Sequence, residues 1–189
     1  MPKAQITSIK RVTDYRWLNL YAIEFVQGGK EGSWLYTSRH EPKAKELDAV
    51  VVIPILPTPE GNKLVLVKEY RFPIQNYEIH NPAGLVDEGE DIIETARREL
   101  LEETGYELTT VKHISPIVVS SAGLSDESVQ IVFAECKLGS GQALESFEDI
   151  EVMTVDLEGI REILRNPPCT IDGKCWQTLY MYDQLGAIK

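Results

Sequence analysis

Hydrophobic and polar positions change their period several times along this chain, and each change marks an element. The runs at about 16–26 and 33–39 are rich in aromatic and β-branched residues and predict two strands, with the turn cluster "QGGKEGS" between them. "AVVVIPIL" (49–56) is a short continuous apolar run, the pattern of a buried strand. "KLVLVKEYRF" alternates and predicts its pairing partner across the turn "PTPEGN". A strand near 77–80 leads into the loop chemistry of "NPAGLVDEGE". "DIIETARRELLEET" has helical composition and stops at Gly105, a residue suited to closing a helix. "ISPIVVSS" and "SVQIVFAECKL" predict strands around the loop "AGLSDE", followed by a polar loop, "GSGQALESFED", and another strand, "IEVMTVDL". "EGIREILRN" and "GKCWQTLYMYDQLGA" predict two helices, the second burying Trp176. Hairpins interspersed with helices predict an α/β sandwich with mixed sheets, not a doubly wound parallel sheet.

Length and composition narrow the picture. A chain of 189 residues suits one domain with a modest extension. The polar joint "EPKAKELD" (41–48) predicts a small N-terminal β region over 1–46 and a main domain over 47–189. No apolar run approaches the roughly 20 residues needed to span a bilayer, and the start, "MPKAQITSIK", lacks the apolar core of a secretory signal. Cys136, Cys169 and Cys175 have no C-x-x-C spacing and are expected as reduced thiols in the cytoplasm. A formal net charge of −11 argues against non-specific nucleic-acid binding. A small anionic substrate is still allowed, because local arginines and metal ions reverse the potential inside one cleft.

The predicted helix at 91–104 sharpens the question of charge. At about 100° per residue, Glu99, Glu102 and Glu103 share one face, and Ile93, Ala96 and Leu100 occupy the neighbouring one. Like charges at this spacing repel. Such a face is either solvated or completed by a cation, and carboxylates without nearby His or Cys suit a hard ion such as Mg²⁺ or Mn²⁺.

The surroundings favour the cation. Gly84, Glu90, Arg98, Glu99, Leu100, Glu102, Glu103, Gly105 and Tyr106 match, in order and spacing, G-x5-E-x7-R-E-U-x-E-E-x-G-U, where U is bulky and apolar or tyrosine. This resembles the Nudix box, and the strand order resembles the Nudix α/β/α sandwich. The resemblance implies Mg²⁺-dependent hydrolysis of a nucleoside diphosphate linked to another group, with Mn²⁺ as a substitute. It makes Glu99, Glu103 and Glu102 metal ligands or holders of the metal shell, together with the backbone carbonyl of Ala83. Arg98 then orients these carboxylates, and Glu90 ties down its own loop.

Nearly the whole chain resembles the ADP-ribose pyrophosphatase, or nucleoside-diphosphate-sugar hydrolase, branch. In that branch N-terminal strands are exchanged across a homodimer and their aromatic residues sandwich the base. Trp17 and Trp34 fall at matching places, and Arg71 and Arg39 match phosphate-binding arginines. The general base of such relatives is a loop glutamate after the box, which corresponds to Glu148 or, failing that, Glu145. Two departures weaken ADP-ribose as sole substrate and keep GDP-mannose open. Ala122 stands where many relatives have proline, and His80, in "HNPAG", stands where E-x-P-A-G has glutamate. The alternatives are a Nudix hydrolase of a dinucleoside polyphosphate or nucleoside triphosphate, and a nucleotide-sugar sensor without turnover.

Overall fold

The computed structural model describes residues 4–42, 47–144, 146 and 148–186. Part of the expected joint, 43–46, lies outside them. The chain divides into two compact units, residues 1–49 with 117–129, and residues 50–116 with 130–189.

The first unit carries a three-stranded antiparallel sheet of β1 (Gln5–Arg11), β2 (Asn19–Gln27) and β3 (Lys30–Ser38), in the order β1-β2-β3. Gly28 and Gly29 join β2 to β3 with φ of 61° and 76°. Two successive positive φ values make the tight hairpin turn whose twist matches the strands. Tyr21 pairs with Tyr36 across the hairpin and their rings stack at 5.5 Å. The segment 117–129 joins these strands through long-range bonds that no linear division of the sequence anticipates. Thr37 N donates to Leu124 O at 2.8 Å, and Ser38 Oγ donates to Asp126 Oδ2 at 2.9 Å. Asp48, buried, accepts from Ser128 N at 2.8 Å and Ser128 Oγ at 3.1 Å, and His40 Nε2 lies 2.9 Å from its other oxygen. A short strand, β9 (Val118–Val119), pairs with Ser128 and Val129.

The second unit is built on β4 (Ala49–Leu56), β5 (Lys63–Arg71), β6 (Asn76–His80), β7 (Ala83–Leu85), β8 (Tyr106–Ile114), β10 (Ser128–Leu138), β11 (Ile150–Val155) and β12 (Thr170–Ile171), with α1 (Ile92–Thr104), α2 (Leu157–Arg165) and α3 (Gly173–Leu185). The strand order is β12-β6-β5-β4-β10-β8, with β7 on β4 and β11 on β5. β12 runs parallel to β6, while β5 is antiparallel to β4, β6 and β11, so the sheet is mixed. Val67, Lys68 and Glu69 pair with both β6 and β11, which places those strands on the two edges of β5.

Alternation along β5 explains the sandwich. Val65 packs with Val50, Val52 and Val132 against Ala96 and Leu100 of α1. Leu64 and Leu66 pack with Ile53 and Ile79 against Ile160 and Ile163 of α2 and Leu179 of α3. Both faces of the strand are dry from Leu64 to Val67, where the alternation of the full stretch gives way to four successive apolar residues. Each such side chain gives about 1.5–3 kcal/mol over an exposed one.

The expected α/β sandwich with mixed sheets is present, with three local corrections. "ISPIVVSS" supplies only the two-residue β9, because Pro116 cannot donate to a ladder. The strand in that neighbourhood is β8, whose side chains are mostly polar and only Leu108 of which is buried. Trp176 is not core: it is 46% exposed and stacks on Tyr180 at 5.3 Å. No helix among the described residues is long and apolar enough to cross a membrane.

Candidate active site

Helix α1 is fixed at both ends. Asp91 caps it by accepting from Ile93 N, and Gly105, with φ 73°, closes it through its N–H to Leu101 O. Its buried face carries Thr95, Ala96, Leu100, Glu103 and Thr104. Burying Ala96 and Leu100 therefore carries Glu103 inward, one turn beyond Glu99.

Glu103 is 6% exposed, and its Oε2 accepts from Ala83 N at 3.1 Å. Burial lifts its carboxyl from the usual 4.5 to about 9, and the charges of Glu99, Glu69 and Glu148 push it the same way. Glu99 is also raised by burial, with Glu102 and Glu148 adding to the effect against Arg98. Gly84 is needed here for space: a Cβ on it would lie 1.9 Å from Cδ of Glu99. Gly84 and Glu99 of the motif are thus one steric unit.

Arg98 organises the rest. Its Nη1 donates to Glu99 at 2.7 Å and Glu102 at 3.2 Å, its Nε to Glu90 at 3.1 Å, and its Nη2 to Glu90 and to Leu85 O, each at 3.0 Å. A guanidinium has five N–H donors, and here all five are engaged by protein. Arg98 is accordingly an orienting group with no donor left for substrate. Glu90, bonded by Arg98, Thr95 and the Asp87 N–H, is held down to about 2 and serves as the anchor of its loop.

No three His, Cys, Asp or Glu side chains among the described residues form a metal-ligand cluster, and Glu99 and Glu102 turn to Arg98. The donor chemistry nevertheless fits a divalent cation. Glu103 is a buried carboxylate whose ionisation is opposed by three other carboxylates, Glu99 fills the space left by Gly84, and every donor is a hard oxygen.

The loop after β10 reaches this site. Ala143 N donates to Glu102 O at 2.9 Å, and Gln142 Nε2 donates to Glu103 O at 2.7 Å and Ile150 O at 3.2 Å. Glu148, expected as the base, acts electrostatically on both Glu99 and Glu103, and its neighbour Asp149 accepts from Tyr77 at 2.6 Å. Glu145, the other candidate, lies outside the described residues.

Arg71 ends β5 with its side chain 44% exposed, 2.8 Å from Glu69 and 3.5 Å from Glu78. His80 is buried and bonded to Glu69 at 3.0 Å, so it packs and approaches no open solvent. Glu69, Tyr77 and Gln142 escaped the sequence reading. The signal for Glu69 was its alternation with Arg71 in "KEYRFP"; Tyr77 and Gln142 left none.

Trp17, Trp34 and Arg39 belong to the first unit. Trp17 is 66% exposed beneath the Arg16 guanidinium, 4.3 Å from the ring centre. Its loop is held by Asn19, whose side chain accepts from Tyr15 N at 2.7 Å and donates to Tyr15 O at 2.8 Å. Trp34 is 51% exposed on β3, and Arg39 lies 3.7 Å from Glu127.

Comparison with known proteins agrees with this geometry. The family model described as the NUDIX domain matches residues 46–168. An ADP-ribose pyrophosphatase of Saccharomyces cerevisiae is 32% identical over 158 residues, covering 79% of this chain and 68% of its own. An ADP-sugar pyrophosphatase of Mus musculus is 34% identical over 132 residues, covering 69% and 60%. Among solved structures, a crystal structure of an ADP compounds hydrolase superposes with a TM-score of 0.74 over 97% of this chain and 94% of its own, at 19% identity, and so shares the fold. With the complete box running from β7 through its loop and α1 to the start of β8, and a family model that matches residues 46–168, the chain belongs to the Nudix family of hydrolases.

Proposed function

We propose that this chain hydrolyses the diphosphate bond of nucleoside-diphosphate sugars, ADP-ribose foremost, to a nucleoside monophosphate and a sugar phosphate. The observation that carries the proposal is the inward-facing pair Glu99 and Glu103, crowded with further carboxylates at the foot of β7. The names of the yeast and mouse relatives supply the substrate class.

Glu99, Glu103, Glu102 and the Ala83 carbonyl are the groups that would hold Mg²⁺, with Mn²⁺ as a substitute. A divalent cation, when bound, supplies neutralisation of the diphosphate charge and acidifies water. The chain's own groups do the remainder. Arg98 keeps Glu99 and Glu102 oriented while taking no part in binding substrate. Arg71 meets phosphate oxygens with a planar, bidentate cation, and Arg39 has the same role in the first unit. Glu148 accepts the proton of the water that attacks phosphorus, and the leaving phosphate carries away the bond's electron pair. Trp17 and Trp34 stack on the base, and the N-terminal strands exchange across a homodimer. Ile6, Val12 and Leu35, exposed in that unit, support such an interface. Reduced thiols, two of them buried, suit the cytoplasm.

The test is a panel of ADP-ribose, other ADP-sugars and GDP-mannose, with Mg²⁺ or Mn²⁺ and product identification. Monophosphate release from ADP-sugars is expected, and GDP-mannose measures how far base and sugar are discriminated. Glu103→Gln removes turnover while circular dichroism stays unchanged. Binding of ADP-ribose without monophosphate release would sink the proposal in favour of a sensor.

A further inference from the structure

His80 departs from the E-x-P-A-G pattern, and its contacts give it a task. The register of β5 and β6 sets Glu69 directly opposite Glu78. Two carboxylates face to face across a strand pair repel. Two residues further along each strand stand Arg71 and His80. Arg71 Nη1 lies 2.8 Å from Glu69 Oε2 and its Nε 3.5 Å from Glu78 Oε2. His80 Nε2 lies 3.0 Å from the same Glu69 oxygen, and its Nδ1 lies 2.9 Å from the backbone oxygen of Asn81. Nε2 thus faces a carboxylate shared with Arg71, and Nδ1 a backbone carbonyl. The ring is 5% exposed, which locks this orientation, while the Arg71 side chain remains 44% exposed.

We propose that His80 is a positioning residue for substrate capture: by sharing Glu69 with Arg71, it holds that carboxylate in place and leaves the Arg71 guanidinium oriented and available for the diphosphate. The proposal rests on Arg71 as a diphosphate ligand. Without His80, Arg71 is left as the cation answering both carboxylates, and an incoming phosphate competes with them. Glu69 also acts on the metal-helix residue Glu103, so its restraint keeps a further negative charge fixed beside that site.

Steady-state kinetics on ADP-ribose with Mg²⁺, for wild type, His80→Ala, His80→Gln, Arg71→Ala and the His80→Ala/Arg71→Ala double variant, test it. His80→Ala raises KM about tenfold with kcat within about threefold, the scale of one hydrogen bond to a charged group. His80→Gln, which keeps an N–H for Glu69, recovers part of that loss. The double variant has the KM of Arg71→Ala alone, because residues acting through one another are not additive. Multiplying KM effects in the double variant, or an unchanged KM in His80→Ala, overturns the coupling. An unchanged KM in Arg71→Ala overturns the placement of Arg71 and this proposal with it, while turnover itself stands. If the alanine variant does not fold, His80→Gln and the His80→Gln/Arg71→Ala double variant decide: a double-variant KM equal to that of Arg71→Ala is expected, and multiplying KM effects overturn the proposal.

Discussion

At the scale of single residues, the centre of interest is a carboxylate folded where it resists ionising. The folded pKa of Glu103, about 9, lies above its ordinary 4.5, so the folded chain holds that proton more tightly than the unfolded chain. Its contribution to stability is complete below pH 4.5 and is lost as pH rises toward about 9. Glu99 shifts in the same direction. Glu90 and Glu69 are lowered, so they act on the acid side, below the ordinary carboxylate range. In metal-free protein, denaturant unfolding between pH 5 and 9 is therefore expected to show falling stability. Mg²⁺ should restore stability most at the alkaline end, and Glu103→Gln should flatten the slope; a metal-free profile that rises with pH would contradict the burial of this group. Gly84→Ala tests the neighbouring contact. The new Cβ meets the end of the Glu99 side chain, which can swing aside, so the melting temperature should change little. If Glu99 holds the cation as proposed, turnover should fall about a hundredfold, because a displacement of an ångström spoils the reacting geometry.

Elements explain why those residues are where they are. Leu100, fully buried between α1 and the sheet, presses the helix down and seats Glu99 and Glu103 beside β7. Leu100→Ala should cost about 2–5 kcal/mol in chemical denaturation. The same elements show what the sequence reveals and what it hides. Helix α1, β4 and β10 were legible because their apolar spacing is strong and local. The motif was legible because its nine positions lie within 23 consecutive residues. Strand β8 was hidden because its side chains are mostly polar, with Leu108 alone buried. The bonding of His80 was hidden as well. Its partner Glu69 lies 11 residues away and meets it through strand register, which no spacing rule within one segment encodes.

On the scale of the whole molecule, the residues proposed for base recognition and those proposed for the chemistry belong to different units of the chain. Glu99, Glu102, Glu103 and Arg71 sit in the second unit, and Trp17 and Trp34 in the first. If Trp17 and Trp34 hold the base, changing either to alanine should raise KM roughly 5- to 150-fold, the equivalent of about 1–3 kcal/mol of stacking, and leave kcat near wild type. A loss confined to kcat would remove them from base recognition. The segment 117–129 carries a consequence for biosynthesis. Asp48 is clasped by Ser128, 80 residues later. At about 5–20 residues per second, a ribosome needs roughly 4–16 s to deliver that clasp after Asp48 has been made. During that interval the N-terminal sheet stands on the nascent chain without the segment that bonds to Thr37 and Ser38, so the first unit is completed only after residues 50–116 of the second have been made.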